Sequence, residues 1–157
     1  MLSCVERKHG CLFFLLIQDT IGFFLNACLK AGFNVKNTII WDKGNWTAGD
    51  LKCQYGQMYE PILYCNKGRR KINGKRIPDI WRFHRVSSDK LLHQNQKPIE
   101  LIEQCIIKSS ETGGVVLDGF MGSGTTALVA IRNDRHFIGW ELDDYYFDVA
   151  CNRLATK

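Results

Sequence analysis

Apolar and polar positions along this chain fall into short blocks whose period changes several times. Cys11-Leu12-Phe13-Phe14-Leu15-Leu16-Ile17 is an unbroken apolar run, the form of a strand covered on both faces. Asp19 or Thr20 then stands at a helix N-cap, and Ile21, Phe24, Leu25 and Cys28 share one helical face that Gly32 ends. A second strand follows at Asn37-Thr38-Ile39-Ile40-Trp41, so 11–41 reads as a β-α-β unit with a right-handed crossover. The stretch 45–58 is polar and contains glycine, and reads as a surface loop with some helix. Ile62-Leu63-Tyr64-Cys65 is a strand, Asn66-Lys67-Gly68 a turn, and Asn73-Gly74 a strong hairpin signal. Residues 62–85 therefore read as a β-rich appendage built on a hairpin.

The C-terminal third is more regular. Pro98 suits the first position of a helix, with Glu100 and Glu103 early and Lys108 late, which complements the helix dipole. Val115-Val116-Leu117 is a strand that turns through Gly122 and Gly124 into the helix-favouring Ala127-Leu128-Val129-Ala130-Ile131. A third apolar run, His136-Phe137-Ile138-Gly139-Trp140, ends in Glu141, and Asp143 can cap a last helix through about Leu154.

A strand, a glycine-rich turn and a helix N-terminus make a site for polar ligand groups. The glycines let a ligand approach the backbone, and the first N–H groups of the helix have no intrahelical partner. A carboxylate at the tip of the next strand, here Glu141, is placed to accept hydrogen bonds from ribose hydroxyls. Gly122-x-Gly124-x-x-Ala127 also satisfies the dinucleotide fingerprint, so at this level a nicotinamide-binding oxidoreductase fits equally.

The 157 residues amount to a single domain, 1–157, and the net charge of +5 suits an anionic partner. Seven cysteines at 4, 11, 28, 53, 65, 105 and 151, with no C-x-x-C pair, argue for reduced thiols in a cytoplasmic protein rather than a disulfide framework or a metal site. Arg7-Lys8-His9 before the 11–17 run imitates a signal peptide. That run is only seven residues long, is broken by Gln18-Asp19-Thr20, and is too short to span a bilayer. Lys67, Arg69, Arg70, Lys71, Lys75 and Arg76 put six cations in ten residues, a density suited to nucleic-acid phosphates. A solvated β edge guarded by lysines would look the same.

The wording around the glycines narrows the field. Asp118-Gly119-Phe120-Met121-Gly122-Ser123-Gly124-Thr125-Thr126 resembles the cofactor motif of the DNA N-methyltransferases that modify adenine N6 or cytosine N4. Phe137-Ile138-Gly139-Trp140-Glu141-Leu142-Asp143, followed by Tyr145, Tyr146, Phe147 and Ala150, is similar to that family's second cofactor motif. Gln96-Lys97-Pro98-Ile99-Glu100-Leu101-Ile102 resembles its QKP segment, and residues 41–64 resemble the middle of phage-type and restriction-type members. The resemblance covers about 11–154, with Gly119 where the family more usually has proline. It implies an α/β, Rossmann-like methyltransferase fold carrying a basic β-hairpin insertion, with S-adenosyl-L-methionine as cofactor and double-stranded DNA as partner. Its cofactor-binding residues would be Lys97, Asp118, Phe120, Gly122, Gly124, Thr125, Thr126, Glu141 and Asp143. Neither a metal nor a membrane enters its chemistry.

The family's catalytic Asp/Asn/Ser-Pro-Pro-aromatic motif is not in this sequence, whose three prolines, Pro61, Pro78 and Pro98, are all isolated. The motif order matches the permuted class, which carries that segment near its N-terminus, so the implied fold is incomplete. A truncated reading frame, a split enzyme with the segment on a separate chain, and a degenerate copy all fit. The function implied is site-specific DNA amino-methylation. A non-catalytic DNA-binding module on the same scaffold is the principal rival.

Overall fold

The structure is a computed structural model that describes residues 2–5, 10–16, 18–47 and 50–156. Its strands are β1 (Leu2–Val5), β2 (Cys11–Leu15), β3 (Asn34–Thr47), β4 (Gln57–Asn66), β5 (Ile80–Arg82), β6 (Val115–Asp118) and β7 (His136–Gly139). The helices are α1 (Ile21–Lys30), α2 (Ile99–Ser109), α3 (Thr125–Arg132) and α4 (Asp144–Ala155). The strands form one sheet in the order β5-β3-β4-β2-β1-β6-β7. β1 is antiparallel to both β2 and β6, and β4 to both β2 and β3, while β3–β5 and β6–β7 are parallel pairs. Five strands therefore share one direction, and β1 and β4 run against them.

The unbroken apolar run at 11–16 has the double burial that its composition demands. Cys11 and Phe13 face the main core with Ile62 and Tyr64 of β4, beneath Leu101, Ile102, Cys105 and Ile106 of α2 and Val129 and Ala130 of α3. Leu12 and Leu16 face the other way with Leu63 and Cys65, beneath Cys28 of α1 and the half-buried Ile21, Phe24 and Leu25. The helical face read at 21–28 is thus the buried face of α1. That helix ends in a Schellman turn: Gly32 takes φ +75°, its N–H donates to Leu29 O, and Phe33 N–H donates to Cys28 O. Cys11, Cys28, Cys65 and Cys105 are buried free thiols and Cys53 and Cys151 are exposed ones, while the side chain of Cys4 lies outside the described residues, as does Ile17. No helix among the described residues is long and apolar enough to cross a membrane.

The β-α-β unit exists, but β3 is not beside β2. It returns parallel to β2 with β4 filling the place between them. β3 is also longer than expected, fourteen residues, and pairs with β4 as far as Thr47↔Gln57. Of the expected 45–58 loop, 45–47 and 57–58 are strand ends and 50–56 are turn and coil, without the helix expected there among the described residues.

The basic hairpin at 62–85 is not formed. Gly74 takes a left-handed φ of +63°, but Asn73 does not, and the strands on either side do not pair. β5 joins β3 on the far side from β4. The bonds that a hairpin ladder would have used go instead to the C-terminus of α2. Asn73 N–H donates to Lys108 O at 2.9 Å, and its side-chain amide donates to Ile107 O and Ser110 O at 3.1 and 2.9 Å. Helix C-terminal carbonyls lack intrahelical partners, and Asn73 supplies them.

Candidate functional site

β6 ends at Asp118, whose buried carboxylate ties the strand to the glycine turn and the helix beyond it. Its Oδ1 accepts Phe120 N–H at 3.0 Å and its Oδ2 accepts the Thr126 hydroxyl at 2.6 Å. The turn and the first turn of α3 are thereby fastened to one side chain. Gly122 and Gly124 both take left-handed φ, +50° and +74°. A Cβ on Gly124 would stand 2.8 Å from the Ala150 Cβ, so the space this glycine leaves is taken by α4. At Gly122 the neighbour is the His93 ring, at an ordinary 3.6 Å.

Glu141, just past β7, closes the turn from the other side. Oε2 accepts Gly122 N–H at 2.8 Å, and Oε1 accepts Leu142 N–H and Asp143 N–H at 2.9 and 3.1 Å. The Asp143 N–H chiefly, with those of Gly122 and Leu142 and the charge of His93, holds this carboxyl below the usual glutamate range against the opposing effect of partial burial. Asp143 caps α4, its Oδ1 accepting Tyr145 N–H at 2.9 Å and Tyr146 N–H at 3.2 Å.

Between the glycine turn, the end of β2 and the start of β4 lies a cleft of about 380 Å³. Lys97, Asp118, Phe120, Gly122, Thr125 and Thr126 line it together. Of the other residues expected here, Glu141 stands at its rim through the bond to Gly122, and Gly124 and Asp143 support the turn and α4. Phe120 is 76% exposed at the mouth. The Lys97 ammonium is not free: it donates to Glu60 Oε2 at 2.6 Å and lies 5.3 Å over the Trp41 ring, while buried Lys43 approaches the other Glu60 oxygen at 3.7 Å.

His93 and Glu60 are among the lining residues outside the expected set. His93 packs edge-on to Tyr146 at 4.2 Å, with its Nδ1 accepting Asn95 N–H at 3.0 Å. Its only signal was its place just before Gln96-Lys97-Pro98. Glu60 is an acidic residue at the start of an otherwise apolar strand run, which is a signal, though not one that names its partner.

The six expected phosphate-binding cations have mixed fates. Arg70 is held by Ser109 O at 3.0 Å and by Glu111 at 3.6 Å, and Lys67 lies over the Phe33 ring at 5.2 Å. Arg69, Lys71, Lys75 and Arg76 are exposed. All six follow the Asn66 end of β4, whereas the cleft lies at its Gln57 end.

A cleft at the C-terminal ends of parallel strands, with a glycine turn and a carboxylate just past the next strand, is where open α/β sheets place their ligand sites. The chain belongs to the DNA methylase family (N6_N4_Mtase), which matches residues 5–152. It is 35% identical over 148 residues to the type II methyltransferase M2.DpnII of Streptococcus pneumoniae, covering 83% of this chain and 55% of that one. It is 38% identical over 161 residues to the type II methyltransferase M.ScaI of Streptomyces caespitosus, covering 92% of this chain and 52% of that one. The crystal structure of the M1.HpyAVI–SAM complex superposes with a TM-score of 0.80 at 31% identity, covering 96% of this chain and 76% of that one. The chain thus spans about half the length of the curated relatives it matches.

A carboxyl held low in the folded state adds stability above its unfolded pKa and loses it as pH falls through the folded value. Acid destabilisation through Glu141 therefore sets in below about pH 4.3, the ordinary glutamate value. Glu141→Gln, which cannot titrate, is expected to lose Tm less steeply with falling pH in that range, measured by thermal unfolding. Equal slopes for the two proteins would show that these N–H groups do not hold the carboxylate.

Proposed function

We propose that this chain is the cofactor-binding part of a site-specific DNA amino-methyltransferase, with S-adenosyl-L-methionine in the cleft at 118–126. The observation that carries this reading is the 2.8 Å bond from Gly122 N–H to Glu141. A dinucleotide diphosphate needs the glycine-turn N–H groups for its oxygens. Here that of Gly122 is already donated, and Asp118 and Glu141 set two carboxylates against the turn. Such a cleft favours a cationic ligand bearing ribose hydroxyls over a diphosphate, which argues against the nicotinamide reading.

Bound there, the cofactor supplies a methyl group on a sulfonium. Glu141 keeps acceptor capacity for ribose hydroxyls, since each carboxylate oxygen has two lone pairs. Asp118 holds the turn, Thr125 and Thr126 line the helix end, and Lys97 with Glu60 closes the side nearest β3 and β4. Gly124 and Asp143 act by positioning. M1.HpyAVI, solved with SAM, supports the assignment.

Double-stranded DNA is the proposed substrate, with Lys71 and Lys75 as phosphate contacts and Arg69 and Arg76 beside them. Their distance from the cleft puts those contacts away from the target base. The amino group of an adenine or cytosine is a poor nucleophile and must be extruded and aligned. No Pro-Pro-aromatic segment in these 157 residues does that. We assign that role to a segment outside this sequence, on the same or a separate chain. A non-catalytic DNA-binding role is the second reading, and the same missing motif favours it.

S-adenosylhomocysteine is expected to bind in calorimetry and NADH is not. Glu141→Ala removes bonds to a charged group worth roughly 1.5–3 kcal/mol and should weaken binding about ten- to a hundredfold. NADH bound with the homocysteine ligand ignored would reverse the assignment. Replacing Lys71 and Lys75 by alanine should flatten the salt dependence of duplex binding by up to about 0.9 in log–log slope for each phosphate no longer neutralised. An unchanged slope would return the loop to a solvated surface. The purified chain alone is expected to incorporate no tritiated methyl into mixed-sequence duplex, because positioning worth about 7–11 kcal/mol is missing. Turnover by the chain alone would mean that other residues do the work of the Pro-Pro segment, and activity restored by a polypeptide bearing that segment would exclude the non-catalytic reading.

A further inference from the structure

The tip of the β3–β4 hairpin stands at the cleft: Thr47 pairs with Gln57, and Gln57 is a lining residue. The tip is tied in place. Gln57 Nε2 donates to Gln18 Oε1 at 3.2 Å, just past the end of β2. Asp50 Oδ1 accepts Lys52 N–H and Cys53 N–H at 2.9 and 3.3 Å, and Gln54 N–H donates to Asp50 O at 3.1 Å, so the turn closes on itself. It nevertheless leaves its large apolar side chains outside. Trp46 is 70% exposed, Leu51 78% and Tyr55 fully. Single exposed apolar residues are ordinary on a surface, but three on one short turn beside a ligand cleft mark an interaction site.

Trp46 is braced in a particular way. A Cβ added to Gly56 would stand 1.7 Å from its Cε3 and 2.7 Å from both Cδ2 and Cζ3, the two ring atoms bonded to Cε3. Those two distances are equal, and longer than a point over the ring would give. Gly56 therefore meets the indole at its edge and in its plane. With the edge as the part in contact, the faces are the exposed part. Among the described residues neither another ring nor a cation covers them. A ring backed by protein offers one face to a base, whereas a ring held by its edge fits between two.

The inference that follows rests on duplex DNA being the substrate. Extruding a target base towards this cleft leaves a gap in the stack, and an apolar side chain that fills the gap offsets part of the unstacking cost. We propose that Trp46 is that side chain, entering the duplex at the target position and stacking between the two bases that flanked the extruded one. It is a positioning residue, since it touches neither the cofactor nor the reacting nitrogen. The contact neutralises no phosphate, so it adds no salt dependence of its own.

A duplex with its gap already made tests this without the segment assigned to base alignment. A duplex carrying one abasic site flanked by 2-aminopurine is titrated with the full chain, beside the same duplex without the lesion. The abasic duplex is expected to bind more tightly, with the 2-aminopurine emission quenched by the stacked indole. Trp46→Ala, at an exposed position, should lower affinity for the abasic duplex roughly five- to a hundredfold, the effect of one aromatic–base stack. Trp46→Phe should keep part of the preference. Gly56→Ala, which takes away the seat of the ring edge and leaves the indole, should weaken it. The salt dependence of binding should be the same in Trp46→Ala as in the parent, unlike that of the Lys71 and Lys75 variants. Duplex binding with no abasic preference, or with a preference unchanged in Trp46→Ala, would overturn this inference and leave the DNA reading standing. No duplex binding by the parent chain would overturn both. Self-association that is lost in Trp46→Ala, with 2-aminopurine unquenched, would assign the tip to a protein partner instead.

Discussion

The bond from Gly122 N–H to the Glu141 carboxylate is the last rung of a ladder that begins in the sheet. β6 and β7 pair in parallel from Val115↔His136 to Asp118↔Gly139. Beyond the strands the pairing continues, Trp140 N–H donating to Asp118 O and Met121 N–H to Trp140 O, both at 3.0 Å. The side chain of Glu141 then takes the place that a backbone carbonyl would have held. The turn is thus positioned by the register of two strands, and a slip of one residue would send Glu141 to the other face. Gly139 is part of the same constraint, because a Cβ there would stand 2.4 Å from the Phe137 ring and 3.1 Å from Asp118 O.

Support from behind is equally specific. α4 comes against the turn because Gly124 has no side chain, and Arg153 of α4 reaches back to Ser123 O and the Thr125 hydroxyl at 3.1 and 3.0 Å. Asp143 fixes where α4 starts and donates its own N–H to Glu141, so the cap and the ligand-facing acid share one short segment. The glycine turn is therefore held on three sides before any ligand arrives, the kind of preorganisation that lowers the ordering cost of binding.

What was legible in the sequence was what local chemistry decides. The alternation of strand, glycine turn and helix at 115–131, the α1 face and the Asp143 cap depend on neighbours within a few residues, and each stands as read. What was not legible depends on partners far along the chain. Asn73-Gly74 carries the residues of a hairpin turn, yet only Gly74 takes positive φ; α2, more than thirty residues on, offered Asn73 unpaired carbonyls, and the strands around it paired elsewhere. Lys97 was legible as a cleft residue but not as the partner of Glu60, thirty-seven positions earlier. His93 carried no periodic or motif signal of its own, and only the fold brings it over Gly122.

The separation of charge comes from the same topology. β4 runs against its neighbours, so its two ends deliver opposite chemistry: Glu60 near the cleft, and the cations from Lys67 onward at the far end. At the cleft, Glu60 is paired with both Lys97 and Lys43, and the carboxylates of Asp118 and Glu141 stand at the glycine turn. A polyanion approaching this face meets repulsion at the cleft and attraction at the far end, while a small cation meets the reverse. On the methyltransferase reading, the antiparallel course of one strand thus lets a protein of net charge +5 keep DNA phosphates from competing for the pocket that its cationic cofactor needs.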